Sequence, residues 1–103
     1  MIVLKSGVRI YGLKPEILFA MNVADGLAAK RDVDLVITCV SEGQHKPGSL
    51  HYKGLAFDLR TRDWDKIFCD AFVAELRAAL GSDFDVVPEE SHCHVEFDPK
   101  EFY

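Results

Sequence analysis

Ser49-Leu50-His51-Tyr52-Lys53-Gly54-Leu55-Ala56-Phe57-Asp58 is the stretch from which the rest of this chain of 103 residues can be read. From Leu55 to Leu59, large apolar residues alternate with small or polar ones, the period of a strand with one buried face. Leu55, Phe57 and Leu59 are expected to point into the core, and Gly54, Ala56 and Asp58 the other way. The two small residues leave room beside the carboxylate. Gly54 also lets the chain bend between His51 and the strand, so that both side chains can reach one point.

A second stretch, Glu89-Glu90-Ser91-His92-Cys93-His94, answers the first near the C-terminus. Its alternation continues to Phe97, placing Cys93, Val95 and Phe97 on one face and His92, His94 and Glu96 on the other. Imidazole nitrogen and carboxylate oxygen together suit a zinc ion, and a catalytic site supplies three ligands and leaves the fourth position to water. The expected ligands are His51, Asp58 and His94. His92 shares a face with His94 and can hydrogen-bond a bound water or a substrate oxygen. Single histidines, however, are commonly surface residues or satisfied core residues. No H-E-x-x-H or paired C-x-x-C signature is present either, so spacing alone leaves the metal and the bland readings level.

The paired motifs resemble the D-alanyl-D-alanine carboxypeptidase superfamily, which includes bacterial D,D-dipeptidases, bacteriophage L-alanyl-D-glutamate endolysins and the hedgehog signalling domain. The pattern S-x-H-x-x-G-x-A-x-D is met at Ser49, His51, Gly54, Ala56 and Asp58, and a His-x-His strand follows it. The resemblance runs over roughly residues 34 to 99 and is to a small member of the bacteriophage type. It implies a hedgehog-like fold with one zinc ion held by His51, Asp58 and His94. It also implies a carboxylate just upstream of the second motif as general base, with Glu89 ahead of Glu90. The Trp-His pair of the bacterial carboxypeptidases is absent, as is the Tyr-x-Arg element that grips the substrate carboxylate there. The resemblance therefore leaves the cleaved bond open.

Outward from these motifs, the composition is that of a single soluble domain, with 49% hydrophobic and 28% charged residues. No run approaches the ~20 apolar residues of a membrane span. The N-terminus lacks the basic and apolar regions of a secretory signal, so synthesis in the cytoplasm is expected. Three cysteines without framework spacing argue against a disulfide scaffold. Cys93 is expected in the core, with a ligand role as the rival reading. The net charge of −5 disfavours nucleic acid as a partner. Arg60 and Arg62 follow the metal strand and could meet an anionic substrate group, against a default of solvated strand ends. His45, on the polar loop 41–48 that delivers His51, could steady a transition state or simply face water.

The remaining elements complete an α+β fold in the order β-α-β-β-α-β-β, two helices on a mainly antiparallel sheet. Val8 to Tyr11 reads as the first strand. Pro15 and Glu16 open a helix whose buried stripe is Ile17, Leu18, Met21, Ala24, Leu27 and Ala28, with Gly26 read as allowing close packing. Asp34 to Val40 is the strongest strand. Asp63 is the expected N-cap of a second helix, with a stripe of Trp64, Ile67, Phe68, Ala71, Phe72, Leu76, Ala79 and Leu80, stopped by Gly81. Phe84 to Val87 pairs with His92 to Phe97 through a turn that should set Glu89 beside His94.

The function these expectations describe is hydrolysis of an amide bond in peptidoglycan stem peptides, of D,D or L,D type, by a carboxypeptidase or endopeptidase. Glu89 takes a proton from the attacking water, and His92 or His45 donates to the oxyanion. A monomer is expected, acting at the cell wall after lysis or as a virion component. The alternative, suggested by the hedgehog domain, is a non-enzymatic zinc-stabilised domain that binds a partner. The least favoured reading keeps the motif as structure without metal.

Overall fold

The computed structural model describes residues 1–41 and 49–99. The chain runs β1 (Ile2–Leu4), α1 (Pro15–Ala29), β2 (Leu35–Cys39), a 3-10 turn (Leu50–Lys53), β3 (Ala56–Arg60), α2 (Lys66–Leu80), β4 (Phe84–Pro88) and β5 (His92–Phe97). The five strands form one sheet in the order β1-β2-β3-β5-β4. β1 and β2 pair in parallel, as a strand-helix-strand crossover allows, and the other neighbours are antiparallel. The expected class, two helices on a mainly antiparallel sheet, is the one observed.

Strand alternation decides what each face of the sheet carries. Leu35, Ile37, Phe57, Leu59, Val86, Cys93 and Val95 are buried in one cluster with Ile17, Ala20, Met21, Ala24 and Ala28 of α1 and Phe72, Val73, Leu76 and Leu80 of α2. Both helices therefore cover the same face. Cys93 lies in this core as a small apolar residue, and burial pushes its thiol up to about 12. The opposite face holds Asp58, Arg60, His92 and His94.

Several local expectations need correction. The first strand is Ile2–Leu4, whereas residues 8 to 11 form none. They lie between Gly7 and Gly12, both at positive φ, and a turn bond from the Val8 amide to the Lys5 carbonyl bends the chain away from the ladder. The cap of α2 is Asp65, whose side chain accepts from the Phe68 amide at 2.8 Å. Asp63 belongs instead to the turn closed by the Trp64 amide on the Thr61 carbonyl. Leu18 and Ile67 belong by spacing to the buried stripes but are 50% and 84% exposed. Each helix rests on a face narrower than its full run of apolar residues. Apart from its chain neighbours and its own helix backbone, Gly26 has no atom within 4 Å of the place a Cβ would take, so close packing does not explain it. No helix among the described residues is long and apolar enough to cross a membrane.

Candidate metal centre

β3 and β5 pair in a register that sets Asp58 directly opposite His94 and Arg60 opposite His92. Directly opposed residues of an antiparallel pair share a face with their Cβ atoms about 5 Å apart. This register alone brings a carboxylate and an imidazole together from positions far apart in sequence. His51 arrives from the 3-10 turn that lies against β3 and β5. Ser49 starts that turn by accepting from the His51 amide at 3.2 Å. Gly54 ends it at φ 71°, where a Cβ would sit 1.9 Å from the Gly12 carbonyl oxygen. Only glycine meets both demands.

The three expected ligands converge. His51 Nε2 lies 3.2 Å from His94 Nδ1 and 3.3 Å from Asp58 Oδ1, and His94 Nδ1 lies 2.9 Å from the same Oδ1. Ligand bonds of 2.0–2.1 Å arranged tetrahedrally separate the donor atoms by about 3.3 Å. The triangle thus has the dimensions of one face of a zinc tetrahedron.

The outer partners point the lone pairs inward. His51 is 3% exposed, and its Nδ1 lies 2.6 Å from the Val40 carbonyl oxygen, which can only accept. Nδ1 therefore carries a proton, and Nε2 is the nitrogen turned toward the triangle. His94 Nε2 lies 2.7 Å from Glu96 Oε1, leaving Nδ1 as the inward nitrogen. A ligating histidine held by a carboxylate or carbonyl on its far side is the usual support of a metal site. Glu96 was visible on the same strand face as His94, but its role follows only from the contact.

Electrostatics follow from the same contacts. Burial works against the Asp58 charge, yet hydrogen bonds and charge from His51 and His94 hold its carboxyl well below the usual carboxylate range. The hydrogen bond to Asp58, opposed by burial and aided by Glu96, pushes His94 up to about 9.

A donor that sequence reasoning did not find stands beside this triangle. Ile37 pairs with Leu59, but Cys39 pairs with Asp58, so β2 advances two residues while β3 advances one. This bulge turns Cys39 out of the core row of Leu35 and Ile37 and onto the Asp58 face. It also aims the Val40 carbonyl at His51. Cys39, His51 and Asp58 have ligand atoms within 4.8 Å of one another and form a second group that could hold a metal ion. Cys39 Sγ lies 3.9 Å from His51 Nδ1, on the side of the ring already committed to Val40. His94 Nδ1 and Asp58 Oδ1 stand instead on the Nε2 side of that ring.

The other site candidates divide. His92 is partly exposed, with Nε2 3.9 Å from Asp58 Oδ2. Arg60 lines, with Lys5, Arg62, Ser91 and His92, a cavity of about 260 Å³ that reaches Asp58. Glu89 and Glu90 are exposed at the tip of the β4–β5 hairpin, which the Glu89 amide closes on the His92 carbonyl at 2.8 Å. Among the described residues, no hydrogen bond or ion pair joins either glutamate to His94 or Asp58. The hairpin is tighter than the sequence suggested, and its acids project outward. His45 lies outside the described residues. No family model matches the chain, and no solved structure matches it.

Proposed function

We propose that this protein is a zinc-dependent peptidase that hydrolyses an amide bond in peptidoglycan stem peptides. The observation that carries the proposal is the triangle of His51 Nε2, Asp58 Oδ1 and His94 Nδ1, with edges of 2.9 to 3.3 Å. Two neutral imidazoles and one carboxylate suit zinc, leave the centre positively charged and keep a coordination position for solvent. Zinc in such a set lowers the pKa of a bound water to near 7 and polarises a carbonyl. The peptidoglycan substrate comes from the likeness of the two motifs to the carboxypeptidase superfamily, which includes bacteriophage-type endolysins.

The residues of the chain divide the remaining work. His51 and His94 are oriented by Val40 and Glu96, so the ligand shell is assembled before substrate arrives. Asp58 stays ionised because both imidazoles bond to it. His92 borders the cavity and stands next to Asp58 without being needed as a ligand, so it is placed to hold or pass a proton and to donate to a developing oxyanion. Glu89 can serve as base only if the hairpin tip folds over the site when substrate binds.

Purified protein loaded with zinc is expected to release new amines from cell-wall material. His92→Ala should abolish most of that release with one zinc still bound, and Glu89→Ala should reduce it only if the tip closes. Absence of bound zinc after exposure to the metal rejects the proposal.

A second reading is favoured by Cys39. If its thiolate completes the coordination shell, the site is closed, as structural zinc sites are, and the domain binds a partner without catalysis. A thiolate-to-metal charge-transfer band in the cobalt-substituted protein, lost in Cys39→Ser, would support it.

A further inference from the structure

We infer that the outer face of α1 is a contact between two copies of this chain, packed antiparallel about a two-fold axis at Asn22. The helices cover the sheet face opposite to Asp58 and His94, so the contact leaves the metal centre open and stands whether or not that centre cleaves an amide.

At about 3.6 residues per turn, Ile17, Ala20, Met21, Ala24 and Ala28 turn inward from α1 and are buried. Pro15, Leu18, Phe19, Asn22, Gly26 and Ala29 fall on the opposite face, and all six are exposed. None of the six is charged. Leu18 and Phe19 stand 50% and 53% open to water. The neighbouring helix is finished differently, for α2 turns Lys66, Asp70 and Arg77 outward and pairs Lys66 with Asp70 at 2.7 Å. Gly26 adds a second observation. Glycine inside a helix costs stability relative to alanine, and nothing in its own chain packs where a Cβ would stand.

Symmetry and charge select a second copy as the occupant. Phe19 precedes Asn22, Gly26 follows it, and helical spacing puts both on the same flank of the line Pro15–Asn22–Ala29. A two-fold axis across the helix at Asn22 exchanges the two ends and keeps the flank. It therefore seats each Phe19 ring over the partner's Gly26, where the Cβ is missing. A protrusion and a gap exchanged by one axis are what a self-complementary contact requires. Asn22 Nδ2 donates to the Leu18 carbonyl at 3.0 Å and keeps a second hydrogen for Oδ1 of the partner's Asn22, a polar pair that fixes register. The same axis brings Glu16 alongside the partner's Lys30, both of them exposed on that flank. Among the described residues Glu16 makes no ion pair. On the other flank Leu18 meets the partner's Asp25, whose charge is already spent on the Met1 amine at 3.0 Å. A chain of net charge −5 repels its own copy over most of its surface, so a face without charge, bordered by opposite charges, is where two copies can meet.

Sedimentation equilibrium of the full chain tests the contact. The mass should climb from 11.6 kDa toward twice that value as concentration rises, in zinc-loaded and chelated protein alike. Gly26→Arg should weaken association about tenfold or more, because a charged side chain then fills the gap that receives Phe19. That variant has open space in its own chain and a better helix former than glycine, so its monomer should melt no lower than the parent. Orientation is read by mild oxidation. Asn22→Cys sits on the axis and should form a covalent dimer that the parent, with its three native cysteines, does not. Ala29→Cys should not, since an antiparallel pair holds its two copies of that position about 21 Å apart along the helix. A mass that stays at 11.6 kDa up to millimolar chain would overturn the inference. So would association unchanged in Gly26→Arg, or cross-linking of Ala29→Cys as complete as that of Asn22→Cys.

Discussion

His94 lies between two carboxylates, and its proton and a metal ion would compete for one nitrogen. With His94 raised to about 9, metal uptake at neutral pH must expel a proton from Nδ1. Zinc affinity should therefore rise with pH until about 9 and then level, with proton release measurable by calorimetry in buffers of different ionisation heat. In the chelated protein the sign is set by two groups. His94, raised on folding, stabilises fully below its ordinary value near 6.5, and that contribution is lost as pH rises through about 9. Asp58, lowered on folding, stabilises above about 3.8, and its contribution is lost as pH falls through its depressed value. Denaturant melts of the chelated protein should show a plateau between these limits. Glu96→Gln removes the carboxylate behind His94 and should cost about 10- to 100-fold in zinc affinity, with little change in the fold.

Two elements carry the geometry on single residues. The 3-10 turn depends on Gly54, and Gly54→Ala forces a Cβ against the Gly12 carbonyl at a positive φ. We expect a loss of about 2 kcal/mol or more, together with weakened zinc binding, because the turn that carries His51 must shift. Thermal melts and zinc titration of the same sample check both. Helix α2 starts at Asp65, so Asp65→Ala should cost about 1 kcal/mol, and Asp63→Ala close to nothing. This pair of substitutions measures why the expected cap was displaced by two residues. The two aspartates flank Trp64 at the start of the apolar stripe, and only the turn closed by Trp64 on Thr61 selects between them. The bulge in β2 was equally hidden. Alternation along Leu35, Ile37 and Cys39 reads as one core-facing row, and an inserted residue changes parity without changing the letters.

For the whole molecule, one ion would tie the turn before β3 to β3 and β5. If zinc binds the folded chain alone, zinc at 100 times its dissociation constant should add about 2.7 kcal/mol. For a domain of this size that raises Tm by roughly 10 to 20 °C. Chelation should reverse the shift, and Asp58→Ala should abolish it. A Tm indifferent to zinc would remove the metal centre while leaving the α+β fold intact.

By itself the sequence determined the class of fold, the two helices, four of the five strands, and which strand faces bear His92, His94, Glu96 and Asp58. Those features are local, because periodicity, caps and glycine conformations act within a few residues. Only the tertiary structure decided that Asp58 pairs with His94, that Val40 and Glu96 orient the imidazoles, that Cys39 turns toward the site, and that Lys5 joins Arg60 across the sheet. Register, bulge and strand order are set by how distant segments pack against one another, and no local pattern records that choice.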